Sequence, residues 1–169
     1  VYSDDEEGGH FAALAMKDRG RKDIVAVLGP QDNPAVVDRL RGYRAVLGED
    51  LPDANVIYTG WNSGDGYQAM HQILAREIAF DGVLCGSDRI AAGVITALNE
   101  AGLSVPADVS VVGFDDHEIA ARCVPALTTV RQPLREEGHM AANIALDMIK
   151  GAEPTTTVMH MQLVQRDSL

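Results

Sequence analysis

Cysteine and aromatic residues are scarce in this chain: 169 residues hold two Cys, one Trp and 5% aromatics in all. Cys85 and Cys123 stand far apart in sequence, which excludes a disulfide framework and a paired-thiol metal site. Long apolar runs are missing too. The longest candidate, Ile90–Leu98, is interrupted by Gly93 and Thr96, well short of the ~18–20 apolar residues of a membrane span. Basic residues are outnumbered, 14 against 25 acids, for a net charge of −11. So acidic a chain gains nothing from phosphate neutralisation, so direct nucleic-acid binding by these residues is not expected. The chain opens Val1-Tyr2-Ser3 with neither an initiator Met nor a basic-then-apolar leader, and reads as a piece of something longer. What remains is 46% apolar and 23% charged, the balance of one ordinary globular domain.

Short β-branched runs alternate with segments of near-3.6 spacing. Strands are expected at Ile24–Leu28, Val56–Thr59, Gly82–Gly86, Val109–Phe114 and Leu127–Arg131, and a mixed polar one at Val158–Val164. The first five lack polar alternation, which means burial on both faces, as in a parallel sheet. Helices are expected at Glu6–Arg19, Pro34–Leu47, Ser63–Arg76, Asp88–Ala101 and Leu134–Ile149. Ser63 and Ser87 stand as helix caps, Pro34 in a first turn, and Gly20, Gly102 and Gly151 just past helix ends. The pattern predicts an α/β fold, a doubly wound parallel sheet with helices on both faces. Ligands in such sheets bind outside the carboxyl ends of the strands. That directs attention to 29–33, 60–63, 86–89, 114–117 and 132–133.

No catalytic set assembles there. Gly64-Asp65-Gly66 precedes a helix, but lies too far past its strand for a dinucleotide turn. There is no Walker loop, and Gly86-Ser87-Asp88 lacks the second glycine of a nucleophile elbow. His10, His71, His117, His139 and His160 form no i,i+4 pair, so neither a metal nor a cofactor is expected. Asp115 and Asp116 close the strongest strand. They can accept hydrogen bonds from ligand hydroxyls, merely cap the next helix, or take part in chemistry, and hydroxyl binding is the favoured reading. Trp61, just past a strand among Gly, Asn and Ser, suits stacking on the C–H face of a sugar. Arg39 can present a fork of donors at the same mouth.

Two runs, Pro106–Asp116 (PADVSVVGFDD) and Pro125–Pro133 (PALTTVRQP), make the chain resemble the lactose-repressor (LacI/GalR) family of bacterial transcription regulators. Glu7-Gly8-Gly9, Gly29-Pro30, Arg39–Tyr43 and Leu163–Arg166 extend the likeness over nearly the whole chain. The resemblance implies the C-terminal lobe of an effector-binding domain shaped like the periplasmic binding proteins, spanning residues 1–131. It implies a helix at 132–151 returning to a first lobe that this chain lacks, and a final strand and tail at 152–169. The apolar face of that helix (Leu134, Met140, Ala141, Ile144, Met148) would then lie uncovered, sticky or disordered. Arg39, Trp61 and Asp115 match effector contacts, with Asn33 and Ser87 beside them; Ala35 and Ser87 stand where members carry other groups. A sugar fits this set, and a purine stays open.

The implied protein is a cytoplasmic repressor, not an enzyme, whose ligand controls DNA binding by a helix-turn-helix headpiece absent from this chain. The alternative is a periplasmic sugar- or solute-binding protein, and neither reading involves a membrane. A homodimer is expected on the helix after Ser87, with Ile90, Val94, Ile95 and Cys123 at its interface. There Ala91, Val94, Leu98 and Ala101 would face the sheet, while Ile90, Ala97 and part of Ile95 turn outward. The resemblance puts a twofold contact at this helix and at Ile119–Val124.

Overall fold

The computed structural model describes residues 1–76 and 78–169. Its centre is a six-stranded sheet: β2 (Ile24–Leu28), β3 (Val56–Tyr58), β4 (Gly82–Cys85), β5 (Ser110–Asp115), β6 (Thr128–Arg131) and β8 (Gln162–Val164), in the order β3-β2-β4-β5-β6-β8. All neighbours are parallel except β8, which runs antiparallel to β6 at the edge. The five parallel strands lie where their apolar runs put them, with ends displaced by a residue or so. Val158–Val164, expected as one strand, is two. β7 (Val158–Met159) pairs with a short N-terminal β1 (Tyr2–Ser3), and β8 joins the main sheet. The break falls at His160 and Met161, where the Met161 N–H donates to the Glu7 carboxylate and its side chain enters the core.

Burial on both faces holds strictly in β2. Ile24, Ala26 and Leu28 join one apolar cluster, and Val25 and Val27 the other. The first cluster is closed by α1 (Asp5–Asp18) and α2 (Pro34–Leu47), the second by α3 (Ser63–Leu74) and α4 (Asp88–Glu100). Each helix pair meets backbone to backbone. A Cβ on Gly9 would strike the Arg39 carbonyl oxygen, and one on Gly93 the Ser63 carbonyl oxygen. Gly20, Gly102 and Gly151 all have positive φ past helix ends, as their positions predicted. Ser87 caps α4, its hydroxyl accepting from Ile90 N. Ser63 does not cap α3. Asn62 does, in a capping box with Asp65, and Ser63 is the first helical residue.

The tight α3–α4 contact corrects the reading of α4. Ile90, Val94 and Ala97 are fully buried, and Ile95 is 4% exposed. One apolar stripe meets the sheet and a second meets α3, so Ile90 is core rather than outward-facing. Outside lie Ala92, Thr96 and Asn99. They form one wall of a shallow 240 Å³ groove completed by Ile119, Arg122, Cys123 and Val124, from and just beyond a short helix α5 (Glu118–Arg122). Val124 is 83% exposed. α6 (Leu134–Ile149) is formed as expected and has no buried residue: Leu134, Met140, Ala141 and Met148 are exposed and Ile144 half-buried. No helix among the described residues is long and apolar enough to cross a membrane.

Candidate functional site

The order of strands reverses at β2: the chain moves from β2 outward to β3, then returns to the opposite flank with β4. The carboxyl ends of β2 and β4 therefore flank the crevice where open α/β sheets take ligands. Gly29 and Gly86 follow these strands and touch. A Cβ on Gly86 would lie 3.1 Å from Gly29 N, and one on Gly29 would lie 2.5 Å from Cζ2 of Trp61. The missing side chain at Gly29 lets the indole settle over this point. Trp61 is half-buried and packs against the apolar clusters of both faces.

Arg39 closes on the end of β4. It projects from α2 and is 4% exposed. Its Nε donates to Asp5 at 2.7 Å, its Nη1 donates to the Gly86 carbonyl at 2.5 Å, and Nη1 lies 4.0 Å from Asp115. The guanidinium carbon stands 3.8 Å above the Phe114 ring. A buried cation is tolerable only when so surrounded, and the stack on Phe114 adds attraction from the ring face. Arg39 is thus a fixed fork rather than a mobile surface group.

Asp115 ends β5 with φ 113°, and Asp116 follows with φ 57°. Two consecutive non-glycine residues in this region make a strained turn that its surroundings must hold. The holding groups are visible. Gln132 Nε2 donates to the Asp115 carboxylate, while Arg131 and Arg166 donate to Asp116 at 2.7 and 2.6 Å. Burial pushes the Asp115 carboxyl up, against the pull of Arg39 and Gln132. Burial also works on Asp116, but the bonds from Arg166 and Arg131 outweigh it and hold that carboxyl below its usual value. Burial likewise raises Asp5, with Arg39 opposing. The pair 115–116 therefore divides its work: Asp115 is half-exposed at the crevice, and Asp116 is tied into the framework.

Beside Asp5 opens a cleft of about 460 Å³ whose polar lining includes Asp5, Asn33, Asp38, Gln132 and Glu137. Asn33 uses its Oδ1 to cap α2, accepting from Ala35 N, which leaves its amide N–H groups for other partners. Ser87, 4% exposed, is occupied as the cap of α4. Of the expected contacts, Arg39 and Asp115 are brought together, and Asn33 lines the neighbouring cleft. Trp61 covers Gly29, which touches Gly86, whose carbonyl Arg39 grips. Asp5 was missed by sequence reasoning, since nothing in its spacing separates it from Asp4, Glu6 and Glu7. Among the described residues no group of three or more His, Cys, Asp or Glu is arranged to hold a metal.

Comparison with known proteins places these features in a family. Residues 13–169 match the model of the periplasmic binding protein-like domain. The HTH-type transcriptional repressor PurR of Escherichia fergusonii is 37% identical over 168 residues, covering 96% of this chain and 49% of that protein. A solved complex of the transcriptional regulator CelR with cellobiose superposes with a TM-score of 0.93 at 34% identity, over 99% of this chain and 54% of that one. A LacI family regulator from Enterococcus faecalis V583 with bound ribose gives 0.90 at 30% identity, over 98% and 61%. The chain spans about half the length of the curated relatives it matches. It belongs to the periplasmic-binding-protein-like domain family, in the form carried by LacI-family transcription regulators.

Proposed function

We propose that these residues are the effector-sensing and dimerising part of a bacterial transcription regulator working in the cytoplasm, and that the effector is a sugar. Residues 1–131 serve as the C-terminal lobe, 132–151 as the helix returning to a first lobe, and 152–169 as the closing strand and tail. The observation that carries the reading is the Arg39 fork, buried on Phe114 and wedged between Asp5 and Asp115 at the switch point. Donors and carboxylates alternating on a rigid surface suit a ligand whose hydroxyls both donate and accept. The relatives solved with cellobiose and with ribose support a sugar. Relatives named as transcription regulators favour this over a solute carrier.

In this mechanism Asp115 accepts from sugar hydroxyls, Arg39 donates to sugar oxygens, and Trp61 covers an apolar ring face. Nothing is turned over. Ligand held by these groups and by the facing lobe favours the closed arrangement, and that difference in affinity is what shifts the headpieces on DNA. The lobe itself, at −11, contributes no DNA contact.

The test is a thermal-shift screen of the full-length protein with cellobiose, ribose and adenine. A ligand at ~100 times its dissociation constant stabilises by ~2.7 kcal/mol. The expected outcome is a shift with a sugar, lost in Arg39→Lys. A shift with adenine alone, or with none of the three in the presence of intact protein, overturns the sugar reading.

A further inference from the structure

One buried carboxylate belongs to neither the fork nor the cleft. Asp88, the first residue of α4, is wholly inaccessible to solvent. Its Oδ2 accepts from the His117 backbone N–H at 2.7 Å, and its Oδ1 accepts from the Thr129 hydroxyl at 2.5 Å. Thr129 in turn accepts from Asp116 N at 3.4 Å. Gly113 is what admits the carboxylate, because a Cβ there would strike Asp88 Oδ1. The bonds therefore join α4, β6 and the two residues, Asp116 and His117, that follow Asp115. His117 is also the cap of α5, its ring Nδ1 accepting from Ile119 N at 3.2 Å. Immediately beyond lie Ile119, Cys123 and Val124 of the surface groove.

We propose that Asp88 is a positioning residue, a proton-sensitive strut that couples the turn presenting Asp115 to α5 and the α4–α5 groove. The proposal rests on the reading of Asp115 as a ligand group and of the groove as an interface. Its geometry stands without either.

An ionised Asp88 accepts both bonds with charge assistance, which roughly doubles their strength over neutral ones. A protonated one donates a hydrogen bond to the Thr129 hydroxyl oxygen, whose own hydrogen then turns away, and accepts only an uncharged bond from His117 N. Opening the start of α5 would return the carboxyl to water, so the proton it carries when buried favours the closed arrangement and losing that proton loosens the start of α5. The charged and titratable groups around it are Asp115 and Asp116 at the end of β5, His117 at the start of α5, Cys85 on β4 and Cys123 after α5. Burial, reinforced by the two carboxylates, pushes Asp88 up to about 7, with the Thr129 and His117 bonds opposing. From its ordinary 3.8 up to about 7 the folded chain keeps a proton the unfolded chain has lost. Asp88's contribution to stability accordingly falls as pH rises across that window, and levels off above it.

Hydrogen exchange of the segment 114–124 in the full-length protein, normalised for intrinsic rates between pH 5.5 and 8.5, tests this without any ligand. Protection should rise about tenfold as pH falls through about 7. Asp88→Asn should hold the low-pH level throughout. Thr129→Val, which removes a bond favouring the ionised form, should move the step to higher pH, while Thr129→Ser leaves it in place. A flat wild-type profile, or a step surviving in Asp88→Asn, overturns the proposal. If Asp88→Asn does not fold, an unmoved step in Thr129→Val does so instead. Because no sugar is present, failure here is distinct from failure of the cleft to bind one.

Discussion

The indole of Trp61 occupies the space that a side chain at Gly29 would need: a Cβ at position 29 would stand 2.5 Å from Cζ2 and 2.7 Å from Cε2. The aromatic face at the crevice is thus set by a glycine on the neighbouring strand end. Gly29→Ala must displace the ring or the loop behind it. Sugar affinity should fall about tenfold, the worth of one aromatic contact, with a shift in tryptophan emission. Calorimetric titration with cellobiose and with ribose reads the first effect. Unchanged affinity for the sugar that binds wild type would separate Trp61 from the site.

Arg39→Lys keeps the charge and loses the fork. A lysine cannot reach Asp5 and the Gly86 carbonyl together while lying on Phe114. The chain should lose about 1–3 kcal/mol in urea denaturation, and sugar binding should weaken by at least tenfold. Asp5→Asn should show a smaller stability loss, because desolvation of its carboxylate opposes the gain from pairing.

Asp116 makes the opposite case to Asp88. Its carboxyl is held below the usual 3.8, so its contribution is complete above that value and is lost as pH falls through the folded pKa. Asp116→Asn should therefore be less stable than wild type at pH 7, and the difference should shrink on acidification toward pH ~2. Denaturation curves at the two pH values decide it. A gap that persists at low pH would assign the loss to packing rather than to the bonds from Arg131 and Arg166.

Much of this arrangement is legible in the sequence, and the exceptions have physical causes. β2 declares itself because five consecutive apolar residues face two cores at once, and Pro34 announces the start of α2 through its ring geometry. Asp115 and Arg39 were accessible through the motifs around them. Ile90 was misplaced because a helix on a sheet was credited with a single apolar stripe. α4 has two, and the sign of the second was present in Gly66 and Gly93, small residues through which α3 and α4 touch. The role of Asp88 is hidden in the sequence for a different reason. A carboxylate at a helix start looks like an ordinary first-turn acid, and only the fold brings Thr129 and His117 to it.

The burial of both α4 stripes leaves the α4–α5 groove as the place to test dimerisation. Ile90 carries its side chain into the chain's own core, so Ile90→Asp buries a charge without a partner and should unfold the lobe rather than split a dimer. Val124 is 83% exposed at the end of the groove formed with Ala92, Ile95, Thr96, Ile119 and Cys123. A large apolar side chain so placed is covered at little cost by a second copy, and a twofold axis near it would bring each Val124 close to its mate. Val124→Asp would then set two carboxylates against an apolar surface while disturbing nothing in the monomer. Light scattering at ~100 μM, where ordinary interfaces assemble, should find wild type dimeric and Val124→Asp monomeric with the melting temperature of the free lobe. Ile90→Asp should instead lose its melting transition. A Val124→Asp protein that stays dimeric at this concentration would move the interface off the α4–α5 groove.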